Sequence, residues 1–237
     1  MKNKILGFLA GLQFYGFQLP VRIIRLLGHP IRLINYLRKE EWKNALWWLP
    51  ELVFYVMDCL AVPEIYDGIV NLFKTELRPL NELETEACTK IFGSSLIYSN
   101  IRIDEHSRFG PKQHHFVYVS FYTINSFGKM PLYILIHEVM HVWQFHHFGS
   151  VYILKALRAQ HSKEKYNYGG LSNLYELAHS GQWFYDLNFE QQGDLVADYF
   201  LLSNGKSTQW SRATYLDLKV FNYFIQQIQH PKKVYLV

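Results

Sequence analysis

Residues 131–144 read Pro-Leu-Tyr-Ile-Leu-Ile-His-Glu-Val-Met-His-Val-Trp-Gln, a largely apolar run that holds two histidines and one glutamate. Pro131 suits the first turn of a helix. Leu132 to Val142 contains no breaker, so the run is expected to be helical. Residues four apart on a helix share a face, so the imidazoles of His137 and His141 can reach one metal ion. Glu138 lies one step round the axis, beside that ion and not on it, where it can hold a water and take its proton. The H-E-x-x-H spacing is a zinc pattern, and zinc lowers the pKa of a bound water from about 16 to about 7. With 11 His and 13 Glu in 237 residues, chance supplies roughly 0.03 such pentapeptides, so two core histidines beside an unrelated glutamate are the weaker explanation.

A zinc enzyme needs a third protein ligand and an open coordination position. His147 has the spacing of the longer H-E-x-x-H-x-x-G-x-x-H pattern, but Gln144 stands where that pattern needs a glycine to turn the chain. If the helix runs on, His147 lies about 240° round the axis from His141 and faces away; it then belongs, with His146, to a solvated helix end. Glu190 is the other candidate. Asn188-Phe-Glu-Gln-Gln-Gly-Asp-Leu-Val-Ala-Asp reads as a second helix with Asn188 as N-cap. Glu190 and Asp194 share a face, so Glu190 can ligate while Asp194 orients a ligand histidine through its other ring nitrogen. Asp194 or Asp198 as the ligand, and Glu190 as an acidic first turn favoured by the helix dipole, stay open. Gly193 inside a helix has one good reason, close approach of another element, and the His137–His141 helix is the obvious one.

Two histidines from one helix and Glu190-x-x-x-Asp194 from a later one resemble the gluzincin branch of zinc metallopeptidases. Ile136-His-Glu-Val-Met-His-Val-Trp-Gln144 with Glu190-Gln-Gln-Gly193 is similar to small bacterial zincin-like proteins related to Vgr or Rhs secretion elements or to contractile injection systems. Phe92-Gly93 and Ile101-Arg102-Ile103 look like that family's helix end and strand. The resemblance covers about residues 76–205. It implies one zinc ion on His137, His141 and Glu190, with Glu138 as general base acting on a peptide or protein substrate. The family's substrate-binding Asn-Ala strand residues are not evident. An electrophilic helper for the developing oxyanion is also required. Tyr168, Tyr175, His179 and Tyr199 lie in the right part of the chain, and none is singled out.

The net charge of +4 is uneven. The first 43 residues carry eight basic groups against Glu40 and Glu41, so that segment is +6 and the remainder −2. Basicity therefore bears on the N-terminal segment alone. Arg22, Arg25, His29 and Arg32 recur at three- and four-residue spacing among Ile and Leu, an amphipathic basic helix interrupted at Pro30. Two uses fit it: packing on the chain's own body with arginines in water, or contact with anionic lipid or an acidic secretion-apparatus partner. Nucleic acid is not expected, for no basic cluster with interleaved aromatics exists elsewhere. Met1 to Leu12 begins like a signal peptide, but no small-x-small cleavage site follows. Ala45 to Val62 carries Pro50, Glu51 and Asp58, which favours a buried helix over a membrane span. The expected location is cytoplasmic, with peripheral membrane contact or signal-peptide-independent secretion as variants. Cys59 and Cys88 are too few for a disulfide scaffold or a four-cysteine metal site.

Residues 1–75 read as helices broken at Pro20, Pro30, Pro50 and Pro63. Asn81 and Glu84 form a capping box for a helix ending near Gly93. Leu96–Ile103 and Phe116–Ile124 are β-branched and aromatic and read as strands, separated by a polar loop with Gly110-Pro111. From Pro131 the chain is helical again, looser from Lys163 to Gly170. The expectation is an α+β, zincin-like fold, mostly helical with a small sheet before the metal helix. It divides into a basic helical arm at 1–75 and a catalytic unit at 76–237.

Overall fold

Three helices open the computed structural model: α1 (Lys2–Arg38), α2 (Trp42–Cys59) and α3 (Val62–Phe73). The structure describes residues 2–74, 76–108, 111–114 and 116–231, without the side chains of 2–6, 43, 111 and 114. The charges assigned to Lys2, Lys4 and Lys43, the Gly110 turn and the boundary at residue 75 thus lie outside the described residues. The expected proline breaks fail at three of four positions. α1 runs through Pro20 and Pro30, and α2 through Pro50. A proline inside a helix loses one backbone hydrogen bond and costs about 3 kcal/mol. Here both prolines of α1 sit on its exposed side, while the opposite side packs along α2 and α3. Only Pro63 marks a start, in the first turn of α3 after Ala61 at φ 56°.

The arginines are not in water. Arg22, Arg25, His29 and Arg32 are all buried. Arg22 forms a two-pronged pair with Glu64 and donates to the Asp58 carbonyl at 2.8 Å. Arg32 donates to the Tyr55 hydroxyl at 2.7 Å, and Arg25 to the His147 carbonyl. His29 bonds the Trp48 carbonyl at 2.9 Å and stacks on its indole. Acceptors on α2, α3 and the helix that carries His137 and His141 thus offset the cost of taking these cations out of water. The reading of Ala45–Val62 as a buried helix is also corrected. α2 buries Glu51, Tyr55 and Asp58 and leaves Leu46, Leu49, Val53 and Val56 exposed.

A four-stranded mixed sheet follows, built from β1 (Leu77–Arg78), β2 (Arg102–Asp104), β3 (Tyr118–Ser120) and β4 (Thr123–Asn125) in the order β1-β2-β4-β3. β2 and β4 are parallel and the other pairs antiparallel. The two expected strands are shorter than read. Tyr98–Asn100 is a single 3-10 turn before β2. Phe116–Ile124 is a hairpin, because Phe121 takes φ 60° and turns the chain. The Tyr152 hydroxyl holds that turn, accepting from the Phe121 N–H at 3.2 Å and donating to the Val119 carbonyl at 2.8 Å. A left-handed phenylalanine is rare enough that no local signal announces it.

The remaining helices are α4 (Glu82–Phe92), α5 (Pro111–His114), α6 (Leu132–Phe148), α7 (Val151–Gln160), α8 (Gly170–His179), α9 (Phe189–Ser203) and α10 (Leu218–Gln229). The fold is α+β: helices, a small sheet, then helices. The capping boxes at Asn81/Glu84 and Asn188/Gln191 are both formed. α6 runs through the centre of the core and packs most closely on α9. Val139, Met140, Val142 and Trp143 are fully buried on it. α2 lies on α7, and α3 reaches the sheet, where Asn71 and Asp67 both bond the Thr123 hydroxyl. Among the described residues no single helix is long and apolar enough to cross a membrane.

Candidate metal centre

α6 and α9 bring His137, His141 and Glu190 together inside the protein, with one potential ligand atom from each lying within 4.8 Å of the others. Glu190 is placed by the N-cap of α9: Asn188 accepts from the Glu190 and Gln191 N–H groups at 3.0 and 2.9 Å. Its Oε2 stands 3.3 Å from His137 Nε2 and 3.6 Å from His141 Nε2. Its Oε1 accepts from Gln160 Nε2 at 2.8 Å. The close approach expected at Gly193 is present, for a Cβ there would fall 2.6 Å from His137 Cε1.

Both outer ring nitrogens are occupied. His137 Nδ1 faces Asp194 Oδ1 at 2.7 Å, and a carboxylate only accepts, so this nitrogen carries the hydrogen. His141 Nδ1 faces Gln144 Oε1 at 2.8 Å. The Gln144 amide is fixed in that sense, since its Nε2 donates to the Phe189 carbonyl and to Gln192 Oε1, each at 2.9 Å. His141 therefore also carries its hydrogen on Nδ1, and both Nε2 lone pairs point at the Glu190 carboxylate. Two lone pairs and a carboxylate oxygen cannot share that space without a cation between them. The protons of the histidines or a metal ion meet that demand, and a buried His-His-Glu group of this chemistry could bind a metal ion.

The electrostatics follow. Burial alone would lower the His137 pKa, but its bonds to Asp194 and Glu190 push it up to about 10. His141 is likewise raised by Glu190 against its burial. Burial would raise the Glu190 carboxyl, yet the two imidazoles hold it well below the usual carboxylate range. Glu138 is raised by burial, partly opposed by the same imidazoles.

These groups open on a cleft of about 550 Å³, bordered by edge strand β3, α7 and Tyr166. Glu138 lines it beside both histidines. His147 is elsewhere: its Nε2 donates to the Ser95 carbonyl at 2.9 Å and its ring packs on Trp143. The expectation of a solvated His146-His147 end is overturned, since His146 stacks on Phe14 and bonds the Tyr122 hydroxyl at 2.7 Å. Burial pushes their pKa values down to about 3 and about 4. Asp198 is occupied by the Tyr168 hydroxyl and by the Gln209 and Trp210 N–H groups. Tyr175 bonds Asp217, His179 is exposed at the end of α8, and Tyr199 packs on the core. Tyr166, missed from the sequence, faces the His137 ring at 6.0 Å. Burial and the nearby carboxylates push its pKa up to about 12, which keeps it a proton donor. Gln144 was missed too, although a glutamine three residues after a candidate ligand shares its helix face and was a usable signal. Trp210, whose indole N–H donates to Asp194, was missed with no local signal.

Removing either outer partner tests this arrangement. Gln144→Leu or Asp194→Asn is expected to weaken metal affinity by about 10- to 100-fold, read by competition with a chelator. Unchanged affinity in both would show that the imidazoles need no outer support.

No family model matches the chain, and no solved structure matches it. The chain is 31% identical over 144 residues to the type VI secretion system spike protein VgrG2b of Pseudomonas aeruginosa. That alignment takes in 54% of this chain and 13% of that protein, so the shared part is a small fraction of the spike protein's length.

Proposed function

We propose that the protein is a zinc-dependent hydrolase of zincin type that cleaves peptide bonds. The observation that carries the reading is the convergence of His137, His141 and Glu190 on one point with Glu138 lining the same cleft. Two imidazoles and one carboxylate are a donor set that suits zinc and leaves a position open. When bound, zinc supplies Lewis acidity, polarising a carbonyl oxygen and acidifying water. Glu138 takes the proton of the attacking water and passes it to the leaving amine nitrogen. Burial raises its carboxyl, which suits a group that must first accept and then give up a proton. Asp194 and Gln144 hold the imidazoles in the ligating tautomer. Tyr166 keeps its proton, and its ring lies 6.0 Å from that of His137 in the same cleft, which makes it our candidate donor to a developing oxyanion. Edge strand β3 borders the cleft and offers an extended peptide a backbone to pair with. The likeness to a spike protein supports a type VI secretion apparatus as partner.

The test is metal content together with cleavage of a mixed peptide library. Purified protein should carry zinc, lose cleavage on chelation and regain it when zinc is restored. Protein that takes up no zinc, or cleavage indifferent to chelator, would overturn the reading. Tyr166→Phe should lower kcat by about 100-fold with KM little changed; an unaltered kcat would remove Tyr166 from the reaction.

A further inference from the structure

We propose that α1, α2 and α3 seat this protein on a phospholipid bilayer through their outer apolar face. The argument begins with where the charges are. Between residues 7 and 37 the ionised candidates are Arg22, Arg25, His29 and Arg32, and all are buried against the rest of the protein. Between residues 44 and 73 they are Glu51, Asp58, Glu64 and Asp67. The first three are buried, and Asp67 is half-buried and accepts from the Thr123 hydroxyl. The outer surface of these segments therefore presents no ionised side chain among the described residues.

Apolar side chains take their place. On α1, Ile24, Leu27, Ile31 and Ile34 recur at three- and four-residue steps opposite the arginine stripe, with Phe17 seven residues before Ile24, and Leu27 is 70% exposed. On α2, Leu46, Leu49, Val53 and Val56 repeat the spacing, which Leu60 continues just past the helix end, and Leu46 is 78% exposed. On α3, Ile65, Ile69 and Leu72 do the same. The inner sides of all three helices meet one body: Arg25 the end of α6, Asp58 the start of α7, Asp67 the sheet. The three apolar stripes consequently lie on the side away from it.

Helices elsewhere in the chain are built the ordinary way. α4 exposes Glu82, Glu86 and Lys90, the last two paired at 2.8 Å. The exposed polar side chains of α1 and α3 between these stripes, Gln13, Asn35 and Tyr66 among them, carry no charge. The stripes of residues 7–37 and 44–73, which carry no ionised side chain outward, match hydrocarbon. Two further observations point the same way. Asn44–Cys59 and Val62–Phe73 together have the length and apolar composition of a membrane segment, but they are two helices bent by 68°. Such a bend suits lying along a bilayer better than crossing it. At one edge of the face, exposed Trp42 stands next to the Arg38–Lys39 turn, the aromatic and basic pairing found at headgroup level.

Because Arg22, Arg25 and Arg32 are inside and only Arg38 and Lys39 stand at the edge, attachment is mainly apolar. The full chain should float with phosphatidylcholine vesicles. Raising salt from 0.1 to 0.5 M should leave most of the protein bound to phosphatidylcholine vesicles. Leu27→Asp with Ile31→Asp should cut partitioning by about tenfold or more, whereas Leu216→Asp, in the exposed turn before α10 and outside the three opening helices, should leave it unchanged. All three positions are exposed, so folding is not at stake. As a second measurement, wild-type tryptophan emission should be quenched by brominated phosphatidylcholine, and less so in Trp42→Phe. Failure to float, absence of quenching, or a dimer by light scattering that ignores vesicles would overturn the proposal, the last by assigning the face to a second copy.

Discussion

Glu138→Gln is expected to lower peptide cleavage by about a thousandfold while the metal content stays as in wild type. The amide keeps the size and burial of the carboxyl but cannot accept a proton from water. Glu138 is not among the three groups that converge, so removing its charge leaves His137, His141 and Glu190 in place. The two quantities must be read on the same preparation. Loss of metal would make Glu138 a ligand. Activity above a tenth of wild type would show that another group takes the proton. Activity lost with metal kept is the one result that fits a general base.

Gly193→Ala should have the second largest effect, and its sign is informative. In an ordinary helix interior this change stabilises by about 1 kcal/mol. Here the added carbon would stand 2.6 Å from Cε1, 2.7 Å from Nδ1 and 2.8 Å from Nε2 of His137. That ring cannot yield easily, being tied to Asp194 on one side and buried in α6 on the other. Overpacking of this kind costs about 1–3 kcal/mol. A ring pushed off its line to Glu190 should bind metal at least about 100-fold more weakly. Thermal unfolding and a chelator titration read the two effects separately. A variant more stable than wild type, with metal affinity intact, would mean that α9 does not press on the imidazole.

These expectations rest on features that were mostly readable from residue order, and the reason is local geometry. His137, Glu138 and His141 are placed by one helical period, and Glu190 and Asp194 by another. Gly193 identified the two helices as neighbours because a missing side chain leaves a trace in the sequence. Other features depended on distant partners. The arginines of α1 looked like a solvated stripe because Glu64 and the Asp58 carbonyl, which draw them inward, come some forty residues later. Prolines that punctuate an isolated helix did not stop α1, since packing along its other side outweighed one lost bond. The hairpin at Phe121 depends on Tyr152, about thirty residues on. Tyr166 lies in a stretch without periodicity, where spacing carries no information about direction.

The last turn of α6 has one more consequence. Asp58 accepts the Ser150 N–H at 2.9 Å, at the junction with α7, and Gly149 leaves room for that carboxylate. Arg25 engages the His147 carbonyl, and Phe14 covers His146. The helix that carries both histidines is thus splinted at its far end by residues from the opening of the chain. The His-His-Glu site is not a portable cassette. A descendant or fusion that kept only the segment after residue 75 would inherit the ligands without the brace that holds their helix. It would have to find a replacement for that brace before the site could work elsewhere.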